Sequence, residues 1–162
     1  MDEARWLDER EDRAWRGYRR MRALLDLRLA RDLDRESGLS EADYDVLSTL
    51  SETDGDRLRL TELAARLLWS TSRLSHHVTR MQNRGLVARQ ECPDDARGST
   101  VALTRDGRRA IEDAAPGHVA SVRRNMIDLL TPAELTALDA LSHRVVAHLT
   151  AADPGPTGDR RP

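Results

Sequence analysis

Between positions 71 and 84 the chain sets Thr71, Ser72, Arg73, His76, Thr79, Arg80 and Asn83 against Leu74, Val78 and Met81. The apolar three recur at i, i+4 and i+7. A helix over 71–84 therefore turns one stripe to a core and the polar residues away from it. Hydroxyl, guanidinium and imidazole donors on one helix face suit the acceptors of a nucleic-acid duplex. Arg73 and His76 can donate to N7 and O6 of guanine in the major groove, and Ser72 to a base or a phosphate. Thr71, at the helix start, offers a hydroxyl and backbone N–H groups to a phosphate, and Arg80 is a further phosphate donor. The plain alternative is a solvated helix face. His77 lies nearer the apolar stripe and is expected to be a partly buried structural histidine.

A second group follows. Residues 86–91 and 99–103 read as two strands, and 93–98 as the polar turn between them. Arg97 near that tip is placed to enter a narrow minor groove. Asp95, two residues earlier, can hold the guanidinium in a bidentate pair and aim it. The alternative is a surface ion pair worth under ~1 kcal/mol. Arg89 on the first strand is expected to contact phosphate.

The elements around these residues must hold them in place. A helix over 61–68, capped by Thr61, packs through Leu63, Ala64, Leu67 and Leu68. The chain breaks at Trp69-Ser70, where Ser70 caps the next helix, and Gly85 stops that helix. Two short helices, a tight turn and a two-stranded ribbon make a winged helix-turn-helix. Upstream, Trp15, Tyr18, Met21, Leu25, Leu29 and Leu33 recur at helical spacing over 9–37, and Gly38 closes that run. Ser40 and Asp43 form a capping box for a second helix. Residues 57–60 fit a short strand. Thr104 opens another helix, which Pro116-Gly117 is expected to kink or interrupt. Thr131-Pro132-Ala133-Glu134 is a capping box with proline at N1. It starts a last helix bearing Leu135, Leu138, Leu141, Val145, Val146 and Leu149.

The expected fold is mainly α with a small β wing, in the order α-α-β-α-α-β-β-α-α. Residues 1–40 form an N-terminal dimerisation helix, 41–104 the winged module, 105–151 the C-terminal dimerisation helices, and 152–162 a disordered tail. The apolar faces of the first and last helices exceed what a module of ~50 residues can cover. A second copy is the simplest partner, giving a twofold dimer.

Charge distribution supports a duplex partner better than net charge does. The 162 residues carry a net −2. Residues 57–109 hold 11 arginines and 5 acids, whereas residues 1–56 hold 10 arginines and 16 acids. The positive charge is concentrated where the donor-bearing helix lies. All 26 basic residues are arginine, which by itself implies nothing about function. One cysteine, Cys92, rules out an internal disulfide and fits a reducing compartment. No apolar run is long enough to span a membrane, and the charged N-terminus has no signal-peptide core, so a cytoplasmic protein is expected. The five histidines and Cys92 form no metal-ligand spacing. No catalytic motif or dinucleotide turn is present, so neither an enzyme nor a cofactor is expected.

The run Leu63-Ala64, Leu67, Ser70-Thr71-Ser72, Ser75, Val78, Arg80-Met81 and Arg84-Gly85-Leu86-Val87 resembles the MarR family of winged-helix transcription regulators. Asp95-Ala96-Arg97 followed by Val101-Ala102-Leu103-Thr104 is the most specific mark, and the likeness spans roughly 10–150. Cys92 and the His76-His77 pair depart from the pattern and leave base preference open. The resemblance implies a homodimer joined through the first and last helices. It also implies a pseudo-palindromic operator and, often, release by a small phenolic or other aromatic ligand. Such ligands enter a cleft beside the first helix, where Trp15, Tyr18 and Arg19 lie. Trp15 has a counterpart in some urate-responsive members, but that group's acidic and basic partners are not matched here. Trp15 and Tyr18 equally fit a dimer core. Two other readings stay open: a winged helix that binds protein or DNA without sequence preference, and a regulator that responds to oxidation of Cys92.

Overall fold

A computed structural model of the chain describes residues 5–92 and 95–152, the side chains of residues 91, 92, 95–98 and 152 excepted. The tail expected beyond Ala152 lies outside the described residues, as do Pro93 and Asp94 of the expected turn. Two compact units divide the chain, residues 1–122 and 123–162.

In the first unit, local signals fix most helix ends. Helix α1, Glu9–Ser37, starts at Asp8, whose side chain accepts the Arg10 and Glu11 N–H groups. It ends at Gly38, whose φ of 67° suits a residue without Cβ and whose N–H donates to Asp34. Helix α2, Glu41–Ser51, opens with the reciprocal Ser40–Asp43 box. Strand β1, Arg57–Arg59, runs directly into helix α3, Leu60–Arg66. Arg59 takes the cap position with no side-chain bond, so Thr61 is not the N-cap. The extended backbone of β1 ends one residue earlier than the polar cap signal implied.

The turn after α3 is made by backbone. Leu68 and Trp69 N–H groups close back onto the carbonyls of Ala65 and Ala64 at 3.1 and 2.9 Å. This pattern needs a left-handed residue, and Leu68 adopts φ 55° at a cost of roughly 1 kcal/mol. Helix α4, Thr71–Asn83, follows, with Ser70 accepting the Arg73 N–H. Gly85, at φ 75°, ends it with the same backbone pattern, Gly85 to Gln82 and Leu86 to Met81.

Strands β2, Val87–Cys92, and β3, Asp95–Leu103, form the hairpin, and the antiparallel sheet has the order β1-β3-β2. The return strand begins at Asp95 rather than at 99. Pairing continues past Glu91↔Ser99, across an irregularity between Glu91 and Cys92, to Cys92↔Asp95. Backbone pairing thus outlasts the apolar alternation from which the strand was read.

Helix α5, Arg105–Asn125, starts beneath the hairpin. Thr104 Oγ1 accepts the Gly107 N–H at 2.9 Å and donates to the Gly85 carbonyl at 2.6 Å. A Cβ on Gly107 would stand 1.9 Å from the Leu86 carbonyl oxygen, so the junction admits only glycine. The expected interruption at Pro116-Gly117 does not occur, because α5 continues through both residues. Proline removes one helical donor, but the helix is anchored on either side. Ile111 and Ala114 lie in the core, and Ser121 Oγ donates to buried Asp32 at 2.7 Å. The core itself joins Val46, Leu47 and Leu50 of α2 with Leu63, Leu74, Val78, Met81, Val87 and Val101.

In the second unit, helix α6, Pro132–Ala152, is capped by Thr131 and Glu134. Its Leu135, Leu141, Val145, Val146 and Leu149 are exposed.

Candidate nucleic-acid interface

Helix α4 presents the expected donor face. Thr71, Ser72, Arg73, His76, Thr79, Arg80 and Asn83 are exposed, while Leu74, His77, Val78 and Met81 are buried. The buried stripe packs into the core, so the outer face is held in a fixed rotation about the helix axis. Arg73 lies over the Trp69 ring, 4.0 Å from its centroid. A guanidinium on an indole face is held by the ring quadrupole while its N–H edges stay free to donate. Trp69 carried no signal in the sequence beyond marking the break between helices.

The hairpin is joined to this helix by Arg89. Its guanidinium donates to the Ser75 carbonyl at 2.7 Å and to Ser75 Oγ at 3.0 Å. The half-buried Arg89 therefore acts as a strut between β2 and α4. Asp95 and Arg97 fall on the β3 backbone, and their side chains, like that of Cys92, lie outside the described residues.

Beneath α4 lies a network that the sequence reading missed. Asp43, legible only as a cap, is buried and accepts Arg84 Nη1 at 2.7 Å, while Arg84 also donates to the Gly38 carbonyl. His77 Nε2 stands 3.2 Å from the other Asp43 oxygen. Burial opposes ionisation of Asp43, but hydrogen bonds from Arg84 and Ser40 outweigh it and hold the carboxyl below its ordinary range. Burial pushes His77 below the ordinary histidine value of 6.5, with Asp43 opposing the shift and Arg80 adding to it. The histidine is buried, as its place beside the apolar stripe implied.

Of the candidate ligand residues, Trp15 and Tyr18 stack at 5.9 Å on the exposed side of α1, with Arg19 exposed beside them. A second aromatic contact, absent from the sequence reading, joins α2 to α5, where Tyr44 and His118 rings lie 4.3 Å apart. Burial lowers the His118 pKa and raises that of neighbouring Asp45. Among the described residues, no His, Cys, Asp and Glu cluster could hold a metal ion, and no helix is long and apolar enough to cross a membrane.

A donor-bearing helix behind a tight turn, strutted to a β-hairpin, defines a winged helix-turn-helix of the DNA-binding class. The sequence profile of the MarR family matches residues 37–98. AbsC, a MarR family transcriptional regulator from Streptomyces coelicolor, is 44% identical; the match covers 91% of this chain and 99% of AbsC, with a TM-score of 0.87. Sco3205, a MarR family regulator from the same organism whose structure was solved with DNA, is 41% identical over 91% of both chains, at a TM-score of 0.85. The repressor YetL of Bacillus subtilis (strain 168) is 29% identical over 85 residues, 52% of this chain and 51% of YetL, so the match spans about half the length of that relative. The chain belongs to the MarR family of transcriptional regulators.

Removing the Asp43 charge tests the network. Asp43→Asn is expected to lower unfolding free energy by about 2–3 kcal/mol, less than for a fully buried pair because Arg84 reaches solvent. Because the Asp43 pKa is depressed, its contribution is complete above the ordinary carboxylate range and is lost as pH falls through the lowered value. The parent–variant difference in denaturant unfolding should therefore shrink towards acid. Parental stability of the variant at neutral pH would show that the network does not hold α4.

Proposed function

We propose that the chain is a homodimeric, sequence-specific repressor that binds a pseudo-palindromic operator through α4 and the hairpin. The observation that carries this is the exposed donor face of α4 above a fully buried underside. Ser72, Arg73 and His76 read base edges in the major groove. Thr71, Arg80 and Arg89 serve the phosphates, Arg89 also bracing the hairpin. Arg97 enters the minor groove, aimed by Asp95. That Sco3205 was solved in complex with DNA and that YetL is named a repressor supports this reading. The protein acts in the cytoplasm, without catalysis or a cofactor. On the operator, Arg73→Ala is expected to cost about 1–3 kcal/mol and to narrow the operator-to-random ratio. Arg97→Ala should weaken operator binding while leaving the fold intact. Fluorescence anisotropy on DNA from upstream of the protein's own gene, with random duplex at the same salt, reads both. Equal affinity for the two duplexes would favour an architectural or protein-binding role.

Dimerisation draws support from two apolar faces considered separately. Trp15, Tyr18, Met21, Leu24 and Leu27 on α1 are exposed in the single chain, as are the apolar residues of α6. Rows of exposed apolar residues on one helix face are what protein interfaces cover. Sedimentation equilibrium should give twice the chain mass of 18.2 kDa, and Leu141→Glu should shift it towards that of one chain. A parent sedimenting as one chain would remove the dimer.

Release by a small aromatic ligand rests on the paired rings of Trp15 and Tyr18 beside Arg19, a stacking surface next to a cation. Titration with salicylate and with urate is expected to change tryptophan emission, and Trp15→Phe to abolish the change. No change at millimolar ligand would leave these residues to the dimer core.

A further inference from the structure

The operator-facing reading of α4 leaves one ionisable side chain of that helix unused. His77 is 7% exposed. Arg80 Nη2 lies 2.9 Å from its Nδ1. A guanidinium only donates, so Nδ1 accepts and carries no proton. The ring proton is then on Nε2, which faces Asp43 at 3.2 Å. The Trp69 indole meets the same imidazole edge-on, with centroids 5.6 Å apart at 87°. The same indole carries Arg73 over its face. One imidazole thus touches Arg80 directly and Arg73 through Trp69. We propose that neutral His77 is a positioning residue for DNA recognition, holding Arg80 through Nδ1 and backing the ring on which Arg73 lies. This rests on the reading that the outer face of α4 meets duplex DNA.

The charges around His77 decide how the arrangement responds to acid. Asp43 and Asp45 face it from α2, Arg80 from α4, and Arg84 from the end of α4. Burial keeps the imidazole neutral, Asp43 opposes this, and Arg80 and Arg84 reinforce it. Protonation puts a donor on Nδ1 opposite the Arg80 donor, and two donors cannot share a hydrogen bond. Arg80 is then released while the imidazolium turns to Asp43. Since the His77 pKa lies below 6.5, the ordered arrangement is complete above that pH and is lost as pH falls through the lowered value. Added positive charge alone would strengthen phosphate attraction. A fall in selectivity on acidification therefore marks loss of positioning, not loss of charge.

Two measurements on the full chain test the proposal. Nitrogen-15 NMR of histidine-labelled protein at pH ~7.5 should show His77 with Nδ1 unprotonated and Nε2 protonated. The opposite tautomer or an imidazolium would overturn the proposal without reference to DNA. Anisotropy on operator and random duplexes at pH ~7.5 and ~5.5 should then show the parent ratio falling about tenfold. His77→Gln, whose amide oxygen can accept from Arg80 and does not titrate, should keep most of the ratio at the higher pH and lose the part of the pH dependence that the parent owes to His77. His77→Leu should lose the ratio at both pH values while melting as a folded protein. A selective parent whose ratio does not change with pH, or a glutamine variant that falls as the parent does, overturns the role of His77 alone. A parent that binds both duplexes equally at pH ~7.5 removes the DNA reading, and this role with it.

Discussion

The carboxylate of Asp43 accepts the Ser40 N–H and hydroxyl at the start of α2, accepts the guanidinium of Arg84 at the end of α4, and faces His77 in the middle of α4. A buried charge is costly unless its lone pairs are filled. Here the partners filling them come from the helix start on one side and from α4 on the other. The charge can be satisfied only when α4 lies against α2 in one rotation. Apolar packing of Leu74, Val78 and Met81 supplies most of the attachment, but methyl groups alone tolerate small slips that a directional charge-assisted hydrogen bond does not. The position of the outer face of α4 follows from that constraint.

The same face is reached from the other side by the hairpin. Arg89 bonds the Ser75 backbone and hydroxyl, so the two parts of the module meet through a directional contact. Thr104 repeats the device at the foot of the sheet, joining the end of α4 at Gly85 to the start of α5 at Gly107. Gly107 lets these backbones approach closer than any side chain would permit. Polar contacts set orientation in this module, and the leucine-rich core holds the oriented parts together.

Net charge is a poor guide to such a protein. Residues 1–56 carry six more acids than arginines and residues 57–109 six more arginines than acids, so the sum hides both; at an ionic strength near physiological, fields decay within ~8 Å. The apolar residues left exposed on α1, and separately on α6, set a second demand. Soluble chains seldom leave so many aromatic and branched side chains uncovered, and the dimer reading answers it without invoking another protein.

The sequence by itself determined the features that close within about one helical turn. Gly38, the Ser40–Asp43 box, Ser70, Gly85 and the Thr131–Glu134 box each act on backbone groups within four residues, so type and spacing were enough to place them. The donor face of α4 was equally legible, since the apolar stripe opposite it has helical period. Local signals failed where a neighbouring element competed: β1 carried α3 back past Thr61, pairing drew β3 out to Asp95, and core contacts on both sides held α5 through Pro116. Only the tertiary structure decided the pairing of Arg84 with Asp43, of Arg89 with Ser75 and of Ser121 with Asp32. These partners are 41, 14 and 89 residues apart. A side chain's hydrogen-bonding capacity can be read from its type, but its partner is chosen by which distant surfaces the core brings within 3 Å.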